Sequence, residues 1–259
     1  MLVGLLITPF ALTNSSAHAS DDCGRLTVGW IDWPPYQMAD TTSRGGPVGV
    51  DIDAAEKYLG RLGCELEYIQ QPWARLLKQM KEGKLDVLLG MSNTQERRQY
   101  ARFSKAYRNE TLWLFMKAGR TEFDSFKRLH DIIGTTFRLG VSRNAYLGKE
   151  FDALNKNPEF RERVFKNIGG EKFQMLIGGR VDGFMVDMET GKARIREEGL
   201  EGLIVPHKSL KIDLGTIHIM FGRNSISDEL LTRLNEIIDQ DIFLEQNSAL
   251  PGSSATPNS

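Results

Sequence analysis

Cysteine and histidine are scarce in this chain. Two cysteines, Cys23 and Cys64, and four histidines stand among 259 residues. The histidines are scattered, with no acidic or thiol partners at metal-ligand spacing, so neither a metal site nor a cofactor is expected. Excess charge of either sign is also missing. The 33 basic and 34 acidic residues leave a net charge of -1, which points to neither nucleic acid nor an anionic membrane as partner. Past the N-terminus, no apolar run is long enough to span a bilayer. No nucleophile stands beside a base in a catalytic pattern, so nucleophilic catalysis finds no support in the sequence.

One apolar run is present, LVGLLITPFALT from Leu2 to Thr13, followed by Ala17-His18-Ala19. The small-x-small triplet after an apolar run reads as a secretory signal peptide over residues 1–19, although no basic residue precedes the run. Export to an oxidising compartment would permit a disulfide. Cys23 and Cys64 each precede a strand-like run, LTVGWI and ELEYI, with a helical pattern between them. A β-α-β unit lays such strands side by side and parallel, with their starts about 5 Å apart. The two residues are therefore either a disulfide or a pair of buried thiols.

The remainder alternates strand and helix, with a length that suits one large domain or two ordinary ones. Arg25 to Ile31 reads as a strand, and Asp32-Trp33-Pro34-Pro35-Tyr36 as a rigid aromatic loop. Ile52, Ala55, Leu59 and Leu62 share one helical face, which Gly63 closes. A helix opens at Trp73 and Gly83 ends it; Asp86 to Gly90 is then a buried strand. Further strands are expected at Thr111–Lys117, Phe137–Val141, Val164–Lys166, Asp182–Val186, Leu203–Val205 and Thr216–Phe221. Helices are expected at Ala145–Leu154, Glu171–Ile177, Glu189–Glu198 and Ser227–Asp239, and a disordered tail over residues 247–259. The stretches KEGKLDVLL from Lys81 and IGGRVDGFM from Ile177 echo each other, a short sign of two similar α/β units.

The stretch Gly90 to Tyr107 (GMSNTQERRQYARFSKAY) begins where a buried strand ends. In open α/β sheets, ligands bind beyond the carboxyl ends of strands. Thr94 suits an N-cap and Glu96 the first turn, so free backbone N–H groups and Arg97 together would suit an anion. The plainer alternative is a solvated arginine pair.

Five motifs in order carry a resemblance: Trp33-Pro-Pro-Tyr36, Gly49-Val-Asp-Ile-Asp53, Gly83-Lys-Leu-Asp86, Thr94-Gln-Glu-Arg97 with Phe103-Ser104, and Gly179-Arg-Val-Asp182 running to Asp187. Through them the chain resembles the periplasmic solute-binding proteins of family 3, the amino-acid receptors of ABC importers. The resemblance implies an α/β, two-lobed Venus-flytrap architecture, each lobe a mostly parallel sheet flanked by helices, joined by two hinge strands. Residues 23–115 with 217–246 would form lobe 1, and residues 116–216 lobe 2. It implies that Arg97 grips a ligand carboxylate, supported by the Ser92 hydroxyl. The Gly90 carbonyl would face the ligand ammonium and Asp187 would pair with it. Trp33 and Trp73 would enclose the side chain, and Tyr36 closes the same motif as Trp33. Asn144 falls where the family has a Gly-Ser/Thr anion turn, a departure from the pattern. Arg98 and Arg102 are left as solvated surface. The implied protein is a monomeric, non-catalytic periplasmic receptor that carries a small carboxylate or amino acid to a membrane ABC permease. The alternative on the same fold is a cyclohexadienyl-dehydratase-like enzyme, with Glu171 or Glu189 as candidate acids.

Overall fold

The structure is a computed structural model that describes residues 23–42, 45–142, 144–168 and 171–248. The signal-peptide expectation over residues 1–19 lies outside the described residues, as do residues 249–259 of the expected tail. Asn247 and Ser248 of that tail instead end a helix.

The chain opens with β1 (Arg25–Trp30), a short hairpin of β2 (Met38–Ala39) and β3 (Pro47–Val48), and α1 (Val50–Gly60). Gly63, at φ +78°, turns the chain so that the Cys64 N–H donates back to the Leu59 carbonyl at 3.1 Å. Next come β4 (Glu65–Gln70), α2 (Trp73–Lys81), β5 (Val87–Ser92), a single 3-10 turn at Arg97–Gln99, and β6 (Ala101–Lys117). Two more 3-10 turns, Thr121–Phe123 and Leu129–Ile132, lead to β7 (Leu139–Ser142), α3 (Gly148–Leu154) and α4 (Pro158–Arg163). The last elements are β8 (Val164–Ile168), α5 (Lys172–Ile177), β9 (Gly183–Asp187), α6 (Met188–Glu197), β10 (Ile204–Gly222) and α7 (Asp228–Ser248).

One eight-stranded sheet runs in the order β4-β1-β5-β10-β6-β9-β7-β8. The pairs β1–β4, β1–β5, β7–β8 and β7–β9 are parallel, whereas β5–β10, β10–β6 and β6–β9 are antiparallel. The sheet is therefore mixed rather than mostly parallel. Two parallel three-stranded groups flank a long antiparallel pair, because β10 returns alongside β6. Both strands of that pair exceed expectation. Arg102 to Glu110 and His207 to Gly215 are rich in charge, and β-bulges interrupt the pairing, so no clean alternation announced them.

The side-chain period of two places the core on both faces of the sheet. Val87 and Leu89 join Val28, Leu59 and Phe221 on one face, while Leu88 joins Leu76, Met80 and Met220 on the other. Likewise Leu112, Leu114 and Met116 pack with Phe137 and Phe160, whereas Phe115 packs with Phe173 and Phe184. The sequence echo has a structural counterpart. Gly83 and Gly179 turn at φ +67° and +66°. Asp86 accepts the Thr27 N–H at 2.9 Å and Asp182 the Arg138 N–H at 2.9 Å, each tying its strand to the neighbouring one. Arg102, expected as solvated surface, donates to the Ile226 carbonyl at 2.6 Å and pairs with Asp228, locking β6 to the start of α7. Among the described residues, no helix is long and apolar enough to cross a membrane.

Cys23 and Cys64 form a disulfide with Cα atoms 4.7 Å apart, joining the starts of β1 and β4 as the parallel pairing requires. The bond closes a loop with a sequence separation of 41. Replacing both cysteines by serine is expected to lower unfolding stability by about 2–4 kcal/mol. Urea titration of the oxidised protein and the double variant measures this directly.

Candidate functional site

A cavity of about 760 Å³ lies beyond the carboxyl ends of β1, β5, β7 and β9. Its wall includes Trp33, Trp73, Gly90, Ser92 and Arg97 on one side and Tyr146, Lys172, Asp187 and Arg194 on the other, with Glu110 of β6 between. Its size falls within the range of small-molecule sites.

A buried ionic network shapes this wall. Asp51, in the first turn of α1, is fully buried. Its Oδ1 accepts from the Tyr107 hydroxyl and from Arg108 Nε, each at 2.8 Å, and its Oδ2 from Arg108 Nη2 at 3.2 Å. The Tyr107 oxygen in turn accepts the Gly90 N–H at 2.9 Å. Burial, followed by the Asp51 charge, pushes the Tyr107 hydroxyl well above its ordinary range, so it remains a donor. Burial pulls the Arg108 guanidinium down, but its bonds to Asp51 raise it further, and the net shift is upward. Arg108 lies 4.1 Å from the Tyr36 ring centre and 5.3 Å from that of Trp33, which holds the Pro-Pro loop in place. Gly90 cannot carry a side chain here: at φ +71°, a Cβ would sit 2.6 Å from the Trp33 ring and 2.9 Å from Asp51 Oδ2.

Arg97 is 8 % exposed, and among the described residues it has no ion-pair partner. Its Nη1 donates to the Ser92 carbonyl at 2.9 Å, and its backbone N–H meets Thr94 Oγ1 at 3.3 Å. The segment is a three-residue 3-10 turn rather than a helix, so the guanidinium, not a helix dipole, is the positive feature. Burial lowers its pKa, yet an arginine keeps its charge. Arg98 is bound to Asn93 and exposed.

Asp187 caps α6 by accepting the Thr190 N–H at 2.8 Å on Oδ1, while Oδ2 accepts the Trp33 indole N–H at 3.2 Å. Beside it, Lys172 is pulled down to about 8 by burial, with Asp187 opposing and Arg194 adding to the shift. Arg194 pairs with Asp32, bringing α6 against the loop after β1. Trp73 makes a long bond, 3.4 Å, to the Asn144 carbonyl.

Of the residues singled out from sequence, Trp33, Trp73, Gly90, Ser92, Arg97 and Asp187 line the cavity together. Tyr36 sits behind Trp33, its hydroxyl raised by burial and by Asp187. Asn144 is exposed outside the lining, with its backbone at φ +60°. Glu171 and Glu189 are exposed and also outside it, and Glu189 pairs with Lys192. Sequence reasoning missed Lys172, Arg194 and Glu110. Glu110 had a usable signal: continuing the alternation of Met116, Leu114 and Leu112 backwards puts Glu110 and Arg108 on the same buried face.

The model of the bacterial extracellular solute-binding proteins, family 3, matches residues 26–241. The chain belongs to this family. A probable histidine-binding protein of Campylobacter jejuni is 25% identical over 75% of this chain and 73% of its own. The cyclohexadienyl dehydratase of Pseudomonas aeruginosa is 30% identical over 83% of this chain and 77% of its own. Among solved structures, an ancestral arginine-binding protein bound to arginine has a TM-score of 0.67 at 24% identity, covering 87% of this chain and 94% of that one. The last likeness establishes the α/β fold.

Glu110 gives this family member a testable pH dependence. Burial, with help from Asp187 and Asp51 and against Arg108 and Arg97, raises its carboxyl to about 7. The folded protein therefore holds this proton where the unfolded chain has released it. The corresponding stability is present at acid pH and is lost as pH rises from the ordinary carboxylate range through about 7. Glu110→Gln is expected to gain on the wild type as pH goes from 5 to 8, by up to about 3 kcal/mol. Paired thermal unfolding curves across that interval measure the difference.

Proposed function

We propose that the protein is a periplasmic receptor that binds a small amino acid between two lobes and delivers it to a membrane ABC permease, without itself doing chemistry. Lobe 1 comprises residues 23–115 with 217–246, and lobe 2 residues 116–216; β6 and β10 act as the hinge strands. The two parallel three-stranded groups on either side of that pair support this division. The observation that carries the reading is Arg97, a buried guanidinium in the cavity without an ion-pair partner among the described residues. A buried charge is costly until it is paired, and a ligand carboxylate supplies the missing partner. Ser92 supports that carboxylate. The ligand ammonium meets the Asp187 carboxylate, which lines the cavity, together with the Gly90 carbonyl. Trp33 and Trp73 enclose the ligand's side chain. Because one lobe would supply Arg97 and the other Asp187, binding favours closure. The names of the histidine- and arginine-binding relatives favour a basic amino acid as ligand.

A thermal-shift screen of the mature protein against amino acids tests this reading. The true ligand raises the melting temperature by mass action. Arg97→Ala is expected to weaken its binding by roughly 100-fold, since a buried charge contact is worth about 2–5 kcal/mol. A ligand that binds the variant as well as the wild type would remove Arg97 from the carboxylate role.

A second reading is an elimination enzyme like the dehydratase relative. It is favoured by Glu110, a carboxyl in the cavity that is half protonated near neutral pH and so able to act as a general acid. Incubation with prephenate, followed by product absorbance, separates the two. The receptor reading expects no turnover above the uncatalysed rate.

A further inference from the structure

We propose that Glu110 is the specificity-determining contact for the far end of the ligand, and that the ligand it selects bears a cationic nitrogen group, a guanidinium or ammonium, on its side chain. This rests on the receptor reading above and deepens it.

The argument is one of unmatched charge. Glu110 lines the cavity and is 7 % exposed, and its Oε1 is buried without a hydrogen-bond partner. The nearest cation is Arg108 on the same strand, with Nη1 at 3.8 Å, and that nitrogen is unpartnered too. The separation is too long for a hydrogen bond. Arg108 already spends Nε and Nη2 on Asp51. The Arg108–Asp51 pair sums to zero, so Glu110 has no counter-ion of its own. The other charged groups that act on it are Asp51 from α1, Asp187 at the end of β9 and Arg97 from the 3-10 turn. Two of these three are acids that add to the unfavourable negative potential. Arg97 is the cation, and in the receptor reading the ligand's own carboxylate neutralises it. With an amino acid bound at Arg97 and Asp187, Glu110 is the acid left over. A cationic side-chain group entering the cavity supplies the missing partner and displaces the proton that Glu110 holds at neutral pH.

L-arginine and L-citrulline separate charge from shape, because they have nearly the same size and only arginine carries a positive side chain. Calorimetric titration at pH 7.5 is expected to show that the wild type prefers arginine by at least about tenfold, and that Glu110→Gln brings the two within about threefold. The conservative Glu110→Asp is expected to retain part of the preference. Wild-type arginine affinity should fall as pH drops from 7.5 to 5.5, a range below the Lys172 transition near 8, and the fall should be absent in Glu110→Gln. The arginine guanidinium does not titrate in this range, so the pH response belongs to the protein. An arginine-to-citrulline ratio that Glu110→Gln leaves unchanged overturns the proposal. So does a wild type that binds other amino acids but neither of these, with the receptor reading left standing. A wild type that binds no amino acid at all overturns both.

Discussion

The contact on which the site depends is the buried pair between Asp51 and Arg108. It joins α1 to β6, and through Tyr107 it reaches the Gly90 N–H at the end of β5. Arg108 also lies against the rings of Tyr36 and Trp33, so one ion pair sets the position of the loop after β1 as well. A buried pair of this kind is stable only when its remaining hydrogen-bonding groups are met. Here Tyr107 and Gln37 meet Asp51, while Arg108 Nη1 is left facing Glu110. The same network that builds the wall thus leaves one acid unmatched inside it.

Most of the other charges near the cavity are matched. Asp187 caps α6 and receives Trp33, and Arg194 holds Asp32. Arg97 and Lys172 have no ion-pair partner among the described residues, and the buried Glu110 has only Arg108, 3.8 Å away and already bonded to Asp51. Structural charges in proteins are paired because burial of a lone ion is costly. Under the proposed receptor reading, a ligand with charges complementary to Arg97 and Glu110 would meet both in the same cavity. Trp33 and Trp73 add apolar surface around them, the combination that orients small molecules in a pocket.

Much of the fold was legible in the sequence. The apolar period of α1, the buried run of β5, the glycine stops at Gly63 and Gly83, and the positions of Cys23 and Cys64 are local signals with local causes. Motif order also singled out Arg97, Ser92, Gly90 and both tryptophans, which line one cavity. The long strands were harder. Residues Arg102 to Glu110 carry alternating charge, yet they are strand because β10 pairs along their whole length. Tertiary pairing overrides the weak local preference of such residues. For the same reason the helix expected at Thr94 shortens to one 3-10 turn, since β6 begins at Ala101 and draws the chain back into the sheet. Asn144 shows the limit of positional analogy, because its side chain is exposed although its neighbours Ala145 and Tyr146 line the cavity.

The sequence by itself determined the alternation of strands and helices and the family. Those follow from periodicity, turn chemistry and motif order, which are properties of neighbouring residues. Only the tertiary structure decided which charges are paired. Arg108 and Arg97 are eleven residues apart and chemically identical in the sequence, but Asp51 neutralises the first, while the second has no ion-pair partner among the described residues. Glu110 was likewise one acid among many until burial and the neighbouring acids raised it to about 7. Charge matching is set by distances in space, and no reading along the chain supplies those.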